Sequence, residues 1–351
     1  MVGNKYAVAL VGYGGMGHWH SRLLKEFDEI FLYGIYDIAP EKRAEAKENG
    51  YVVYESFDEL LADPAVDVVL VATPNDFHRD YVIRALEAGK NAVSEKPVTL
   101  SSADLQMMID AANRTGKLFT VHQNRRWDGD FHIIKRIYAE HSLGDIHRIE
   151  SRVHGSRGIP GDWRGKKEHG GGMVLDWGVH ILDQMLQLVP EKIVSVYGHM
   201  EHITNYEVDD GFEIVLTFAS GLTALLEVGT SNFINLPRWY VLGENGSAVV
   251  NNFKGEGKIV NITSWDNRDA VPVVTAAGLT KTMAPRTNET IREQPLPEVH
   301  PDIHDFYKNV VATIKGEAEQ IVKHEELMRV MKVMEAAFES DRKGQIIPFE
   351  I

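Results

Sequence analysis

The sequence predicts an α/β fold in which a doubly wound parallel sheet is followed by a second domain. A short, β-branched apolar run opens the segment YAVALVGYGGMGHWH (6–20) and leads through glycines into a helix-like stretch. Further strand-like runs then alternate with helical segments, a rhythm that is typical of βαβ units. The length of 351 residues corresponds to about two domains of roughly 150 residues each.

The glycines after the first run have the spacing of a phosphate-binding turn. Gly12, Gly14 and Gly17 form G-x-G-x-x-G between a strand and a helix, and Gly15 lies in the same turn. The first glycine permits the tight turn, the second lets backbone N–H groups approach a pyrophosphate, and the third allows close helix–strand packing. The positive end of the helix then faces the phosphates. The turn therefore predicts a nucleotide site.

A carboxylate at the end of the second strand indicates which dinucleotide binds. The run FLYGIYDI (31–38) ends in Asp37, twenty residues beyond Gly17. At this position a carboxylate binds the adenosine ribose hydroxyls and repels a 2′-phosphate. Lys42 and Arg43 are close enough in the sequence to soften that preference. The sequence predicts NAD as the cofactor, with NADP less favoured.

Polar residues follow two further strands of the predicted sheet. Because ligands of such sheets bind at the carboxyl ends of the strands, we expect these residues at the site. Two interpretations of the charged residues Glu95 and Lys96 are open. The plainer one is an ion pair on the surface. In the other, the enzyme oxidises an alcohol, and the lysine ammonium group stabilises the alkoxide that develops on the substrate. The residues are Thr73, Pro74, Asn75 and His78 after one strand, and Glu95, Lys96 and Pro97 after the next.

The stretch GGGMVLDWGVHILDQ (170–184) places Asp176, His180 and Asp183 along one face of a helix. Three interpretations are open: a metal site, an acid/base pair, or a structural polar face. In the acid/base interpretation His180 accepts a proton near neutral pH, and Asp176 orients it or holds a substrate hydroxyl. A lysine from the preceding strand end would repel a metal cation, so we predict no metal.

Composition and charge argue against several other classes of protein. The formal net charge of −14 disfavours nucleic acid and anionic membranes as partners. The absence of cysteine excludes disulfides and thiolate chemistry. No apolar run reaches the ~18–20 residues that span a bilayer, and the first residues leave no room for a signal peptide. We expect a cytoplasmic protein without nucleic-acid or membrane partners.

Taken together, the motifs G-x-G-x-x-G, ATPN-x-x-H, EKP, QNRRWD and GGGMVLDWGVHILD resemble the Gfo/Idh/MocA family of sugar and polyol dehydrogenases over nearly the whole chain. The resemblance implies a catalytic trio of Lys96, Asp176 and His180, with the histidine as base and the Lys–Pro peptide often cis. It also implies further contacts: Met16, Asn75, His78 and Glu95 border the dinucleotide, and Arg126, Trp163 and Arg164 approach the nicotinamide or the substrate.

The resemblance also implies a second, α+β domain with a large, mostly antiparallel open sheet. One face of this sheet packs on helices, and the other pairs with another subunit. The sequence agrees, with a helix at about 130–141 and six later strand-like runs, several alternating with period two. We predict a nucleotide-binding domain at 1–124, a substrate-binding and oligomerisation domain at 125–351, and a homodimer or homotetramer. The segment 261–297 and the glycine-rich loop 155–172 are expected to shape the substrate pocket.

Three functional hypotheses follow from these features. The first is an NAD-dependent dehydrogenase that oxidises a secondary ring hydroxyl of a small-molecule sugar, glycoside or inositol. The second is a glycosidase in which bound NAD is recycled, so that oxidation assists glycosidic cleavage without net NADH. The third is a non-catalytic sensor of NAD or sugar, which is less favoured because Lys96 and His180 are both present.

Overall fold

A parallel sheet forms the first half of the structure, a computed structural model that describes residues 4–266, 272–280 and 285–350. Its strands are β1 (Tyr6–Val11), β2 (Ile30–Tyr36), β3 (Val52–Val53), β4 (Val68–Val71), β5 (Asn91–Ser94) and β6 (Phe119–Val121). They lie in the order β3-β2-β1-β4-β5-β6, and each neighbouring pair is parallel. The strand order reverses between β1 and β4, so the predicted doubly wound sheet is confirmed.

Helices connect these strands and cover the sheet. They are α1 (Gly15–Leu23), α2 (Pro40–Glu48), α3 (Phe57–Ala62), α4 (His78–Glu87) and α5 (Ser102–Thr115). The longest of them illustrates how the sequence sets the ends of a helix. The Ser101 hydroxyl accepts a hydrogen bond from the Asp104 backbone N–H at 3.1 Å, which caps the start of α5. Gly116 ends the helix in the left-handed conformation, with φ of 64°.

The turn between β1 and α1 needs glycine for steric reasons. Gly12 has φ of 95°, and a Cβ at this position would lie 2.6 Å from the Ala72 carbonyl oxygen. A Cβ at Gly17 would clash with the Gly12 carbonyl oxygen. Helix α1 therefore packs directly on the turn, at the end of a strand whose residues from Ala7 onward are buried.

A larger, mostly antiparallel sheet forms the second half. Its strands are β7 (Ile146–His154), β8 (Ile193–Glu201), β9 (Gly211–Phe218), β10 (Thr223–Gly229), β11 (Trp239–Gly243), β12 (Gly246–Val250), β13 (Gly257–Ile262), β16 (Ile291–Gln294) and β17 (Ile347–Pro348). A separate hairpin consists of β14 (Val273–Thr275) and β15 (Gly278–Thr280). The order is β16-β13-β12-β11-β7-β10-β9-β8-β17, and the β7–β10 pair is parallel. The predicted large open sheet is confirmed.

Helices cover one face of this sheet. They are α6 (Gly129–Ala139), α7 (Val179–Leu188) and α9 (His324–Lys343), whereas α8 (His304–Ile314) packs against the first half, where the Tyr307 hydroxyl hydrogen-bonds to His20. Helix α9 packs on β8 and on α7, and a π-helical turn, Val174–Gly178, leads directly into α7. Residues alternate between buried and partly exposed along β9 and β10, as expected for a sheet with one face on the core. The boundary at residue 124 stays a prediction, although it falls between β6 and β7.

The segment 261–297, which is expected to shape the substrate pocket, contributes a strand to the sheet. Strand β16 pairs with β13 at the edge of the sheet, and the β14–β15 hairpin lies between them in the sequence. Parts of the segment, 267–271 and 281–284, lie outside the described residues. None of its described residues lines the cavity reported below, so the expectation that it shapes the pocket finds no support there.

Across the described ranges, no helix combines the length and the apolar character needed to cross a membrane.

Candidate functional site

A cavity of about 630 Å³ opens at the carboxyl ends of the parallel strands. Asp37, after β2, lines one end, and Lys96, after β5, lines the other. Residues 162–169, here called the covering segment, contribute Asp162, Trp163, Arg164 and His169 to its wall. The predicted site residues that line the cavity are Gly12, Gly14, Gly15, Met16, Asp37, Thr73, Pro74, Asn75, Glu95, Lys96, Trp163, Arg164 and Asp176. The predicted residues absent from its lining are Gly17, His78, Arg126 and His180.

The glycine turn has the shape of a phosphate cradle. A Cβ built at Gly14 or Gly15 meets no atom within 4 Å, so the backbone of the turn is open to a ligand in the cavity. Helix α1 begins at Gly15 and has no acidic residue in its first turn, so nothing there opposes an anion at its positive end. These residues fit the pyrophosphate of a dinucleotide.

Asp37 is held in place at the opposite end from Lys96. Its carboxylate accepts hydrogen bonds from two neighbouring backbone N–H groups, at 2.6 and 2.8 Å. The two nearby cations are paired with other carboxylates: Lys42 lies 2.8 Å from Glu45 and Arg43 lies 3.2 Å from Glu55. Asp37 is therefore the group at this end that would meet an adenosine ribose.

Lys96 and Asp176 meet at the other end of the cavity. The Lys96 Nζ donates to Asp176 Oδ1 at 2.8 Å and to the Asp176 carbonyl oxygen at 3.0 Å. The second carboxylate oxygen of Asp176 lies 3.4 Å from Nε of Arg164. Burial raises the pKa of Asp176, but the charges of Lys96 and Arg164 hold it below its usual value. The carboxylate is therefore ionised and lies between two cations.

His180 lies on the first turn of α7, four residues after Asp176. Burial lowers its pKa well below the usual value, and the charges of Lys96 and Arg125 lower it further. Its Nδ1 atom is buried and has no hydrogen-bond partner among the described residues. The imidazole is therefore neutral at neutral pH, one helical turn after Asp176.

Asp183, the third residue of the predicted polar face, points elsewhere. Its carboxylate accepts hydrogen bonds from Arg126 at 2.6 and 2.8 Å, and Arg126 also donates to Glu326 at 2.8 Å. Arg126, expected near the nicotinamide or the substrate, lies instead in this buried ion-pair cluster, because the buried carboxylate of Asp183 needs a cation. The π-helical turn carries Asp176 toward Lys96, so the predicted single face is divided between two partners.

His78, expected to border the dinucleotide, is fully buried and connects two loops instead. Its ring nitrogens lie 2.8 Å from the Pro97 carbonyl oxygen and 2.9 Å from the Thr73 carbonyl oxygen. Burial lowers its pKa. The Lys96–Pro97 peptide is cis, as the family resemblance implies. His78 thus supports the loop that presents Lys96.

Close packing explains two of the three glycines before the π-helical turn, Gly171 and Gly172. A Cβ at Gly171 would clash with the Arg164 carbonyl group in the covering segment, and one at Gly172 would clash with the Asp209 carboxylate. Asp209 accepts a hydrogen bond from the Val174 backbone N–H at 2.7 Å. It thereby caps the helical segment that carries two of the catalytic candidates. Nothing local in the sequence marks Asp209, so its role is not predictable from the sequence.

Arg125 is a second residue near the site that the sequence does not mark. Its guanidinium lies 4.1 Å from the centroid of the Trp177 ring, which in turn lies 5.8 Å from the ring of His180. The motif QNRRWD contains two adjacent arginines, and the structure buries Arg126 while leaving Arg125 partly exposed beside His180. Adjacent arginines in a short helical turn gave no signal of which one faces the site.

A third feature missed from the sequence is a buried cluster of His20, Glu95 and His122. Within the described ranges, this is the one group of three such side chains whose ligand atoms are close enough for a metal ion, all within 4.8 Å of one another. Both imidazoles already hydrogen-bond to Glu95. Because a metal would replace these hydrogen bonds, the arrangement fits a hydrogen-bonded cluster better than a metal site.

Comparison with known protein families matches both halves of the chain. Residues 6–123 match the model of an oxidoreductase family with an NAD-binding Rossmann fold, named GFO_IDH_MocA. Residues 131–249 match the model of the GFO/IDH/MocA C-terminal domain.

Individual relatives agree with these matches. The chain is 30% identical to scyllo-inositol 2-dehydrogenase (NADP(+)) IolW of Bacillus subtilis over 98% of this chain and 96% of that protein. It is 28% identical to myo-inositol 2-dehydrogenase of Thermotoga maritima over 63% of this chain and 67% of that protein. The crystal structure of an NAD-binding protein from Listeria innocua superposes with a TM-score of 0.94 at 47% identity, covering 98% of this chain and 99% of that one.

Proposed function

Because this chain belongs to the Gfo/Idh/MocA family of NAD-binding oxidoreductases, we propose that it oxidises a secondary ring hydroxyl of a sugar, a glycoside or an inositol to a ketone, with NAD as acceptor. One observation carries the proposal: Lys96 Nζ lies 2.8 Å from Asp176 Oδ1 at the end of the cavity opposite Asp37. Two residues that are 80 positions apart thus meet where the nicotinamide half of a dinucleotide would lie.

The residues of the cavity fit the cofactor from one end to the other. Asp37 would bind the adenosine ribose, and the open backbone at Gly14 and Gly15 would bind the pyrophosphate. Bound NAD supplies the hydride acceptor, C4 of the nicotinamide. The Bacillus subtilis relative is named as an NADP(+) enzyme, whereas the carboxylate of Asp37 disfavours a 2′-phosphate, so we assign NAD to this chain.

The residues near the other end of the cavity have complementary roles. The Lys96 ammonium would stabilise the alkoxide that develops on the substrate oxygen. His180 would accept the proton, since its low pKa keeps the imidazole neutral near pH 7. Asp176 holds the ammonium of Lys96 in position. Trp163 and Arg164, on the covering segment, would contact the substrate or the nicotinamide.

The test is a substrate panel. Purified protein is mixed with NAD and a series of inositols, hexoses and glycosides, and NADH is read at 340 nm. We expect turnover with at least one cyclic polyol, and lack of turnover with all of them would overturn the proposal. Product analysis in the same assay addresses the second hypothesis. An aglycone released without net NADH would reassign the activity to redox-assisted glycosidic cleavage.

A further inference from the structure

A buried carboxylate lies next to the catalytic end of the cavity. Glu95 lines the cavity but is only 4% exposed. Two imidazole nitrogens lie within hydrogen-bond distance of its Oε1 atom. The Nε2 of His20 lies at 2.8 Å and the Nδ1 of His122 at 2.9 Å. Its other oxygen accepts the backbone N–H of Lys96 at 3.2 Å. The proposed mechanism gives this group no part.

The connectivity fixes where the protons are. An oxygen that receives two ring nitrogens accepts from both, so each imidazole directs an N–H toward Glu95. The remaining nitrogen of His20 then accepts the Tyr307 O–H at 2.7 Å. The remaining nitrogen of His122 is buried without a partner among the described residues. A proton on that nitrogen would be an unsatisfied buried donor, so the geometry places the ring proton of His122 on Nδ1, toward Glu95.

The cluster therefore carries one negative charge. Each imidazole then has a single ring proton, and the two hydrogen bonds that the rings donate to Glu95 hold the pKa of Glu95 well below its usual value against the opposing effect of burial. The nearest ammonium, that of Lys96, is directed to Asp176, and Arg164 pairs with Asp176 and Asp162. These four charges sum to zero, which leaves the charge of Glu95 uncompensated.

We propose that Glu95, held as an anion by His20 and His122, makes this protein bind the oxidised cofactor in preference to the reduced one. The nicotinamide ring of NAD+ is positively charged, whereas that of NADH is neutral. A fixed negative charge in a buried site therefore stabilises the oxidised form selectively. The inference rests on the cofactor site of the proposed function, with Asp37 at the ribose end and Glu95 at the nicotinamide end, and it does not depend on the substrate.

The test measures binding without any substrate. Dissociation constants for NAD+ and NADH are determined by calorimetry for the wild type and for Glu95→Gln, which removes the charge and keeps the size. We expect the wild type to bind NAD+ at least as tightly as NADH. In Glu95→Gln the affinity for NAD+ relative to NADH is expected to fall by about tenfold or more, because the variant loses a buried negative charge close to the nicotinamide.

Two control variants separate charge from packing. Tyr307→Phe removes the hydrogen bond to His20 but keeps the anion, so the ratio should stay within about twofold of the wild type. Glu150→Gln removes another buried carboxylate, on strand β7 among Arg148 and Arg152, and should also leave the ratio unchanged.

Each outcome has a clear consequence. Tighter binding of NADH than of NAD+ by the wild type would overturn the inference, and this result does not require that Glu95→Gln folds. An unchanged ratio in folded Glu95→Gln would overturn it and leave the proposed dehydrogenase intact. Failure to bind either cofactor would overturn both. Stoichiometric metal in the purified protein would also overturn it, because the imidazole nitrogens would then carry no proton toward Glu95.

Discussion

Lys96 connects the two halves of the candidate site, because its ammonium group reaches from the end of β5 to Asp176 before α7. In Lys96→Ala we expect kcat to fall about 10²–10³-fold, since the variant loses the cation that stabilises the developing alkoxide. Affinity for NAD should change little, because the glycine turn and Asp37 are untouched. Steady-state kinetics with NAD titration measures both quantities.

An exposed lysine of the nucleotide-binding half is the matched control for this variant. Lys25→Ala removes the same charge outside the cavity and should leave kcat unchanged. If Lys96→Ala retained near-native kcat, the assignment of Lys96 to the reaction would be wrong.

Asp37 is the residue on which cofactor preference depends. Asp37→Ala should weaken NAD about tenfold or more, since it removes charge-assisted hydrogen bonds to the ribose hydroxyls. The same change should improve NADP relative to NAD, because the repulsion of the 2′-phosphate is lost. The control is Glu48→Ala, an exposed carboxylate at the end of α2. Cofactor titrations that gave the same NAD-to-NADP ratio in Asp37→Ala and in the wild type would contradict the ribose contact.

The helical segment that carries Asp176 and His180 is held at its start by Asp209. Burial raises the pKa of Asp209 from 3.8 to about 6, although its hydrogen bond with the Val174 N–H opposes the shift. Between these two pH values the folded protein binds more protons at this group than the unfolded chain does. The free energy of unfolding therefore falls as the pH rises from 3.8 to 6, through this group alone.

Asp209→Asn tests this account, because asparagine keeps a hydrogen-bond acceptor and does not titrate. The free energy of unfolding of the variant minus that of the wild type should increase with pH from 3.8 to about 6. The total increase should reach about 3 kcal/mol at most, at ~1.4 kcal/mol for each pKa unit, and then level off. Urea unfolding at pH 4, 5, 6 and 7 measures it. A difference that does not vary with pH would show that Asp209 is not the titrating group.

Across the whole molecule, local sequence patterns predicted the features that depend on residues close together in the chain. The parallel sheet, its glycine turn and the open antiparallel sheet follow from spacing and alternation along the chain, and the structure confirms them. The meeting of Lys96 with Asp176 was implied by the family resemblance, since nothing in the spacing alone shows that two segments 80 residues apart are neighbours.

Pairings between distant segments explain what the sequence could not predict. Arg126 forms ion pairs with Asp183 and with Glu326, which lies 200 residues further along the chain in α9. His20 pairs with Glu95 and with Tyr307 in α8, 287 residues away. Each of these residues looks like a free polar group in its own segment. Only the packing of α8 and α9 against the first half reveals its partner.

The outer face of the large sheet, opposite α7 and α9, has an apolar row across three adjacent strands. Tyr197, Val215 and Leu225 are cross-strand neighbours on β8, β9 and β10, and each is partly exposed. We propose that this face joins two copies of the chain, as expected for a homodimer or homotetramer. An aspartate at Leu225 would then place a charge in the middle of the interface, where desolvation without a partner is costly.

Analytical ultracentrifugation measures the consequence. The wild type should sediment as a dimer or tetramer, and Leu225→Asp should shift it toward a smaller species while circular dichroism and NAD affinity stay near the wild-type values. Glu213→Gln, an exposed position on the same face of β9, changes the charge without adding one to the apolar row and should keep the assembly intact. A monomeric wild type, or an assembly unchanged in Leu225→Asp, would mean that the sheet is not the interface, and the partly exposed apolar row would then be an ordinary solvent-facing surface.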